Sequence, residues 1–192
     1  ATASTGGTAS VSVFGNGNLN IAHDAPGVTI GSIAGTGNVF LGNFDHQFQN
    51  LIVGNNNLDT TFSGSIQDGG FNGLFSKIGS GILTFQGRVN NDYIADTVSL
   101  SLVSGSVINL NFNGTPDTIG FLIVNGVLQV LGVYGGPASG APHQLPEFAG
   151  TGTVQVTMGP SSTPTPTPTA TATATATATP TATVRPTPTP RI

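Results

Sequence analysis

Apolar and polar residues alternate along this chain in short bursts, each closed by glycine, asparagine or aspartate. Residues 11–14, 19–21, 28–33, 38–41, 51–53, 58–66, 74–78 and 82–86 carry the period-two pattern of half-buried strands separated by tight turns. Two more bursts follow, Thr97-Val98-Ser99-Leu100-Ser101-Leu102 and Val107-Ile108-Asn109-Leu110-Asn111-Phe112. Apolar runs at 119–124 and 127–131 flank Asn125-Gly126, a pair suited to a tight hairpin because both central turn residues need positive φ. Residues 135–149 read as a Gly/Pro/Ala loop and 153–157 as a last strand. No stretch has the 3.6-residue period of an amphipathic helix.

A glycine-led refrain punctuates these strands. Gly15-Asn16-Gly17-Asn18-Leu19-Asn20-Ile21 returns as Gly35-Thr36-Gly37-Asn38-Val39-Phe40-Leu41, Gly54-Asn55-Asn56-Asn57-Leu58-Asp59-Thr60 and Gly79-Ser80-Gly81-Ile82-Leu83-Thr84-Phe85, starting about 20 to 25 residues apart. That spacing suits one rung per repeat in a stacked solenoid. A final variant begins at Gly150. The expectation is an all-β chain: a short right-handed parallel β-solenoid (β-helix) with a C-terminal hairpin cap and an extended Thr/Pro/Ala tail. Its parts are an N-terminal arm or extra strand at 1–10, rungs at 11–112, a cap at 113–159 and the tail at 160–192.

The segment Phe62-Ser63-Gly64-Ser65-Ile66-Gln67-Asp68-Gly69-Gly70, continuing through Leu74 and Lys77-Ile78-Gly79-Ser80-Gly81-Ile82-Leu83-Thr84-Phe85 to Gly87, resembles the autotransporter-associated β-strand repeat of bacterial passenger proteins. Residues 108–112, 117–120, 124–127, 132–135 and 150–152 resemble the C-terminal end of many such passengers. The resemblance covers about half the chain. It implies a secreted β-solenoid with no catalytic residues to carry over. One full repeat is clear, and a Thr/Pro tail stands where a translocation unit would be expected.

Composition narrows the function. Charged residues are 6 % of the 192, and Lys77, Arg88, Arg185 and Arg191 form no cluster, so the basic footprint that nucleic acid requires is missing. Cysteine is absent, which removes disulfides and thiolate metal sites. No apolar stretch approaches a membrane helix. The opening Ala1-Thr2-Ala3 fits a mature end left by signal-peptide removal, or a cloning boundary.

Enzymatic chemistry on such a scaffold needs paired carboxylates or acids that hold a cation. Asp24, Asp45, Asp59, Asp68, Asp92, Asp96, Asp117 and Glu147 mostly stand alone beside Gly or Asn, as turn residues do. His23-Asp24 and Asp45-His46 lie about one rung apart, but neighbours in a strand face opposite ways. His143 stands between prolines and Glu147 among loop residues. No catalytic, cofactor-binding or metal residues are assigned, and no cofactor is expected. Asn16, Asn18, Asn20, Asn38, Asn55, Asn56 and Asn57 are expected to form hydrogen-bond ladders along the stack.

The tail carries thirteen threonines. Thr163, Thr165, Thr167, Thr169, Thr187 and Thr189 are candidate O-glycosylation sites, since Thr/Pro segments are common acceptors, and Asn113-Gly114-Thr115 matches an N-glycosylation motif. Residues 169–179 lack proline and alternate, so Thr169, Thr171, Thr173, Thr175, Thr177 and Thr179 would line one face of an assembly strand roughly 36 Å long at about 3.3 Å per residue. Ordering some 30 residues costs on the order of 30–60 kcal/mol of backbone entropy, which calls for a docking partner. The expectation is therefore a non-enzymatic extracellular protein that forms a homo-oligomer or polymer, head to tail, with the tail docked on a neighbouring copy. The competing expectation is a monomeric adhesin or carbohydrate-binding module on a glycosylated stalk, with Tyr93 or Tyr134 exposed to sugar.

Overall fold

A computed structural model describes residues 7–24, 26–42, 49–71 and 73–160. Two units are distinguished, Ala1–Ser162 and Thr163–Ile192. Among the described residues the fold is all-β, with no helix.

Chain order builds the solenoid rung by rung. The first rung is β1 (Ser10–Val13), β2 (Asn18–Asn20) and β3 (Gly27–Ile30). The second is β4 (Ser32–Gly35), β5 (Asn38–Phe40) and β6 (Asn50–Val53), and the third is β7 (Thr60–Phe62), β8 (Ser65–Gln67) and β9 (Leu74–Lys77). The fourth holds β10 (Ile82–Phe85), an isolated bridge at Ile94 and β11 (Ser99–Leu102). The fifth holds β12 (Val107–Leu110), β13 (Asp117–Ile119) and β14 (Leu122–Val124). Then come β15 (Val127–Leu128), β16 (Gly132–Gly135), β17 (His143–Gln144), β18 (Phe148–Gly150) and β19 (Thr153–Val156).

Strands at equivalent places pair in parallel and make three faces: β1-β4-β7-β10-β12-β18, β2-β5-β8, and β3-β6-β9-β11-β14 with β15 added. Register carries like residues into columns. Val28, Leu51, Phe75, Leu100 and Leu122 form one core-facing column, and Leu19, Val39, Ile66 and Ile94 form another. Phe85 sits at the centre, 6.4 Å from the rings of Phe62 and Phe75 and stacked on Tyr93 at 5.2 Å. Each fully buried side chain of this kind contributes roughly 1.5–3 kcal/mol. A single rung has no opposite layer to bury these residues against, so the core exists only through stacking.

Three expected strands are each two. Residues 28–33 break at Gly31 into β3 and β4, 58–66 break at Ser63-Gly64 into β7 and β8, and 119–124 break at Gly120 into β13 and β14. The chain turns a corner at each break, and inward-facing residues on both sides of it keep the apolar pattern running. Gly64 shows why a corner needs glycine: a Cβ there would strike the carbonyl oxygen of Gly37, one rung below.

The hairpin forms, with Asn125 and Gly126 at φ 53° and 78°. It is shorter than expected, because its second strand ends at Leu128, and it closes only one face. The expected loop at 135–149 instead holds β17 and the start of β18, which extends the longest face beyond β12. The excursion through β16 and β17, with β16 antiparallel to β19, lies beside this end. Phe148 is the residue that drives it, since its ring is buried among the core residues.

Candidate functional site

The tail residues singled out for glycosylation and assembly, Thr163 to Thr189, and the pair Asp45-His46 lie outside the described residues. His23 is exposed and Asp24 half-buried. The tyrosines that the competing adhesin reading would need at the surface are buried: Tyr93 and Tyr134 are 0 % and 2 % accessible. Tyr93 lies between Phe85 and Phe112, stacked at 5.2 Å on each, and its hydroxyl accepts the Arg88 N–H at 3.0 Å. Tyr134 stacks on His143 at 4.6 Å and donates to the Val130 carbonyl at 2.9 Å. The core had apolar room for two large rings, and each hydroxyl found a partner at its margin.

The asparagines form mixed ladders. Asn18 and Asn38 are register partners, but the next rung supplies Ser65, whose hydroxyl donates to Asn38 Oδ1 at 2.8 Å. Asn56 belongs to a different corner, where its Nδ2 donates to Ser10 Oγ and Ser32 Oγ at 3.1 Å each. The side chains of Asn20, Asn38, Asn55, Asn56 and Asn57 thus bond to hydroxyls and backbone rather than to other asparagines.

Most of the chemistry lies with the buried ionisable groups. Lys77 occupies a core-facing position, following Ile30 and Val53 and preceding Leu102 and Val124 in one column. Its Nζ donates to the carbonyls of Ile78 and Gly79 at 2.7 and 3.3 Å. Burial lowers its pKa, and the charge of Asp59 acts in the opposite sense.

Three carboxylates are buried, and they differ in how far they are satisfied. Asp68 accepts the backbone N–H groups of Gly70 and Gly73 at 2.9 Å each and the Thr97 hydroxyl at 2.6 Å. Asp117 accepts the N–H groups of Tyr93 and Ile94 at 3.3 and 3.2 Å, bridging two rungs. It lines a cavity of about 140 Å³ with Asn90, Asp92, Asp96 and Thr115. Burial first, then the charge of Asp92, pushes its pKa up to about 8, against the pull of the two amides.

Glu147 is the third. It is 7 % exposed and lines a cavity of about 230 Å³ with Ser104, Gly105, Ser106, Val107 and Pro146. Its backbone carbonyl accepts the Ile108 N–H at 2.9 Å, which adds the incoming β18 to β12. Its carboxylate oxygens are not among the enclosed side-chain atoms that lack a partner, which are Gln49 Oε1 and Arg88 Nε among the described residues. Sequence reasoning passed over Glu147, and no pattern around it distinguishes it from a loop acid. Its burial comes from the return of the chain to the longest face, a long-range event.

Among the described residues, no group of three or more His, Cys, Asp or Glu side chains converges to hold a metal ion. No protein-family model matches the chain, and neither a curated protein nor a solved structure matches it.

Proposed function

We propose that this chain is a non-enzymatic extracellular structural protein that self-assembles head to tail into a fibre or surface layer, with the Thr/Pro/Ala tail of one copy docked on the next. The observation that carries this reading is the inequality of the solenoid's two ends. At the N-terminal end β1, β2 and β3 are each the outermost strand of their sheet. At the other end, the antiparallel β15 closes one face and the antiparallel pair β16–β19 another. Rung-on-rung stacking of copies would meet a parallel edge only at β18, the last strand of the longest face, so a join by the tail is the simpler route, and strand addition supplies its hydrogen bonds. A contact repeated without closure gives an open polymer.

The edge strands are three or four residues long, so a docked tail pairs over a few residues and must gain the rest of its affinity elsewhere. The resemblance to passenger repeats and the glycan-acceptor composition of the tail support the extracellular setting. Glycans at Thr163, Thr165, Thr167, Thr169, Thr187 or Thr189 would add solubility to a chain in which 6 % of residues are charged. The adhesin reading depends on exposed aromatics, and both tyrosines are buried. Limited proteolysis over a range of protein concentrations tests the proposal. The tail should become protected as concentration rises, and cleavage at one rate throughout would refute docking between copies.

A further inference from the structure

One six-stranded sheet has β3 as its first outer edge and β15 as its last, and the two edges match one another. Register carries two columns of residues from end to end. The outward-facing one runs Thr29, Ile52, Ser76, Ser101, Ile123 and Leu128, and the core-facing one runs Ile30, Val53, Lys77, Leu102, Val124 and Val127. Val124 is 8 % exposed, whereas Val127, next in the same core column, is 62 % exposed, with Leu128 at 42 % and Leu131 at 40 % beside it. We propose that this end is a docking surface for the first rung of a second copy, with β15 pairing antiparallel to the β3 of that copy, Leu128 opposite Thr29 and Val127 opposite Ile30. The inference rests on the assembly reading above and adds to it a contact made by the solenoids themselves, acting beside the tail.

Direction, phase and charge select a second copy as the occupant. Because β15 runs antiparallel to β14, a strand antiparallel to β15 is again parallel to β14, and the next copy keeps the orientation of the first. Repeating that contact gives an open head-to-tail polymer. The hydrogen-bonding phase agrees. Gln129 donates its N–H to the Leu122 carbonyl, so its neighbour Leu128 turns its own N–H and C=O to the open edge. Asn50 donates to the Pro26 carbonyl, so Pro26, Val28 and Ile30 address β6 and Thr29 turns outwards. Leu128 and Thr29 can therefore exchange two backbone hydrogen bonds in the one register that continues both columns into the next copy. Charge offers no obstacle: no Asp, Glu, Lys or Arg occurs in residues 1–23 or 118–146, so neither edge carries the charged side chains that keep sheet edges apart. Pro160 accepts the Leu131 N–H at 3.4 Å, so the chain passes into its tail beside this edge, at the end where the next copy would receive it.

Sedimentation velocity of the full chain over a range of concentrations tests the contact with one variant at each end. Val127→Lys places a charge where the join would bury it, and Thr29→Pro removes the outward N–H while sparing the β3–β6 ladder. Each should weaken self-association by about tenfold or more. An equimolar mixture of the two should form dimers and nothing larger, because each variant keeps the end that the other has lost. Leu58→Lys, at a site 54 % exposed between β6 and β7, should assemble as the wild type does. End variants that assemble like the wild type overturn the contact and leave a join by the tail standing; end variants that dissociate while the tail is cleaved at one rate uphold the contact and remove tail docking. An equal loss in Leu58→Lys, a mixture that forms no dimers, or a wild type that stays monomeric overturns the proposal. So does a change in tail cleavage in dilute, monomeric Val127→Lys, which would make the copy's own tail the occupant. A cooperative melt near the wild-type temperature establishes that each variant folds, and if Thr29→Pro does not fold, Val127→Lys against Leu58→Lys decides the question.

Discussion

Thr97 donates its hydroxyl to Asp68 Oδ1 at 2.6 Å across 29 residues of sequence, tying the corner after β8 to the chain that enters β11 one rung later. Asp68 also holds the amides of Gly70 and Gly73, so one carboxylate shapes a turn and fastens it to the next level. Asp68→Ala leaves these donors buried and unpaired. It should cost about 3 kcal/mol, since hydrogen bonds to charged groups are worth about 1.5–3 kcal/mol each but share one site. Denaturant midpoints check this, and Thr97→Ala combined with Asp68→Ala should cost less than the two separately.

Asp117 makes stability depend on pH. Its carboxyl titrates at about 8 in the folded chain against 3.8 in the unfolded one, so the native state holds a proton that the unfolded chain has released. Its contribution is fully present below about pH 4 and is lost as pH rises towards 8. Asp117→Asn keeps the shape and removes the titration. The unfolding free energy of the variant should decline less steeply between pH 5 and about 8 than that of the wild type; parallel profiles would contradict this account of Asp117.

Gly64 tests the corners. Its ideal Cβ would overlap the carbonyl oxygen of Gly37, which belongs to backbone and cannot swing aside. Gly64→Ala should therefore cost several times the ~1 kcal/mol typical of a single substitution and should prevent cooperative folding at moderate temperature. Gly126→Ala meets no atom within 4 Å and should cost only the strain of its φ of 78°. Circular dichroism melts of the two variants separate steric collision from backbone strain.

The tyrosines separate the structural reading from the adhesin reading. Tyr93→Phe removes the acceptor of the Arg88 amide, and Tyr134→Phe removes the donor to the Val130 carbonyl. Each should lower stability by about 1 kcal/mol. Any glycan binding by the wild type should be the same in both variants, because neither ring reaches solvent.

Period-two alternation and glycine spacing made the stack legible, because both follow from local geometry: side chains alternate across a strand, and corners demand residues without a Cβ. Gly31, Ser63-Gly64 and Gly120 were misread as strand interiors because a corner between two inward-facing faces preserves the apolar pattern. Phe148 and Glu147 were read as loop because their environment is made by β12, some forty residues earlier in the chain. Lys77 was read as part of a motif and as one of four scattered cations, and no local signal says that a lysine stands in a core column between Val53 and Leu102. The tyrosines were weighed as surface aromatics since burial of a ring with a polar tip cannot be told from exposure without knowing what stacks beside it.

Electron microscopy of purified full-length chain over a range of concentrations tests the assembly directly. The account predicts filaments or a layer whose repeat shows copies related head to tail, with the Thr/Pro/Ala segment of each lying against the next. Uniform monomeric particles at high concentration, with the tail open to protease, would contradict it.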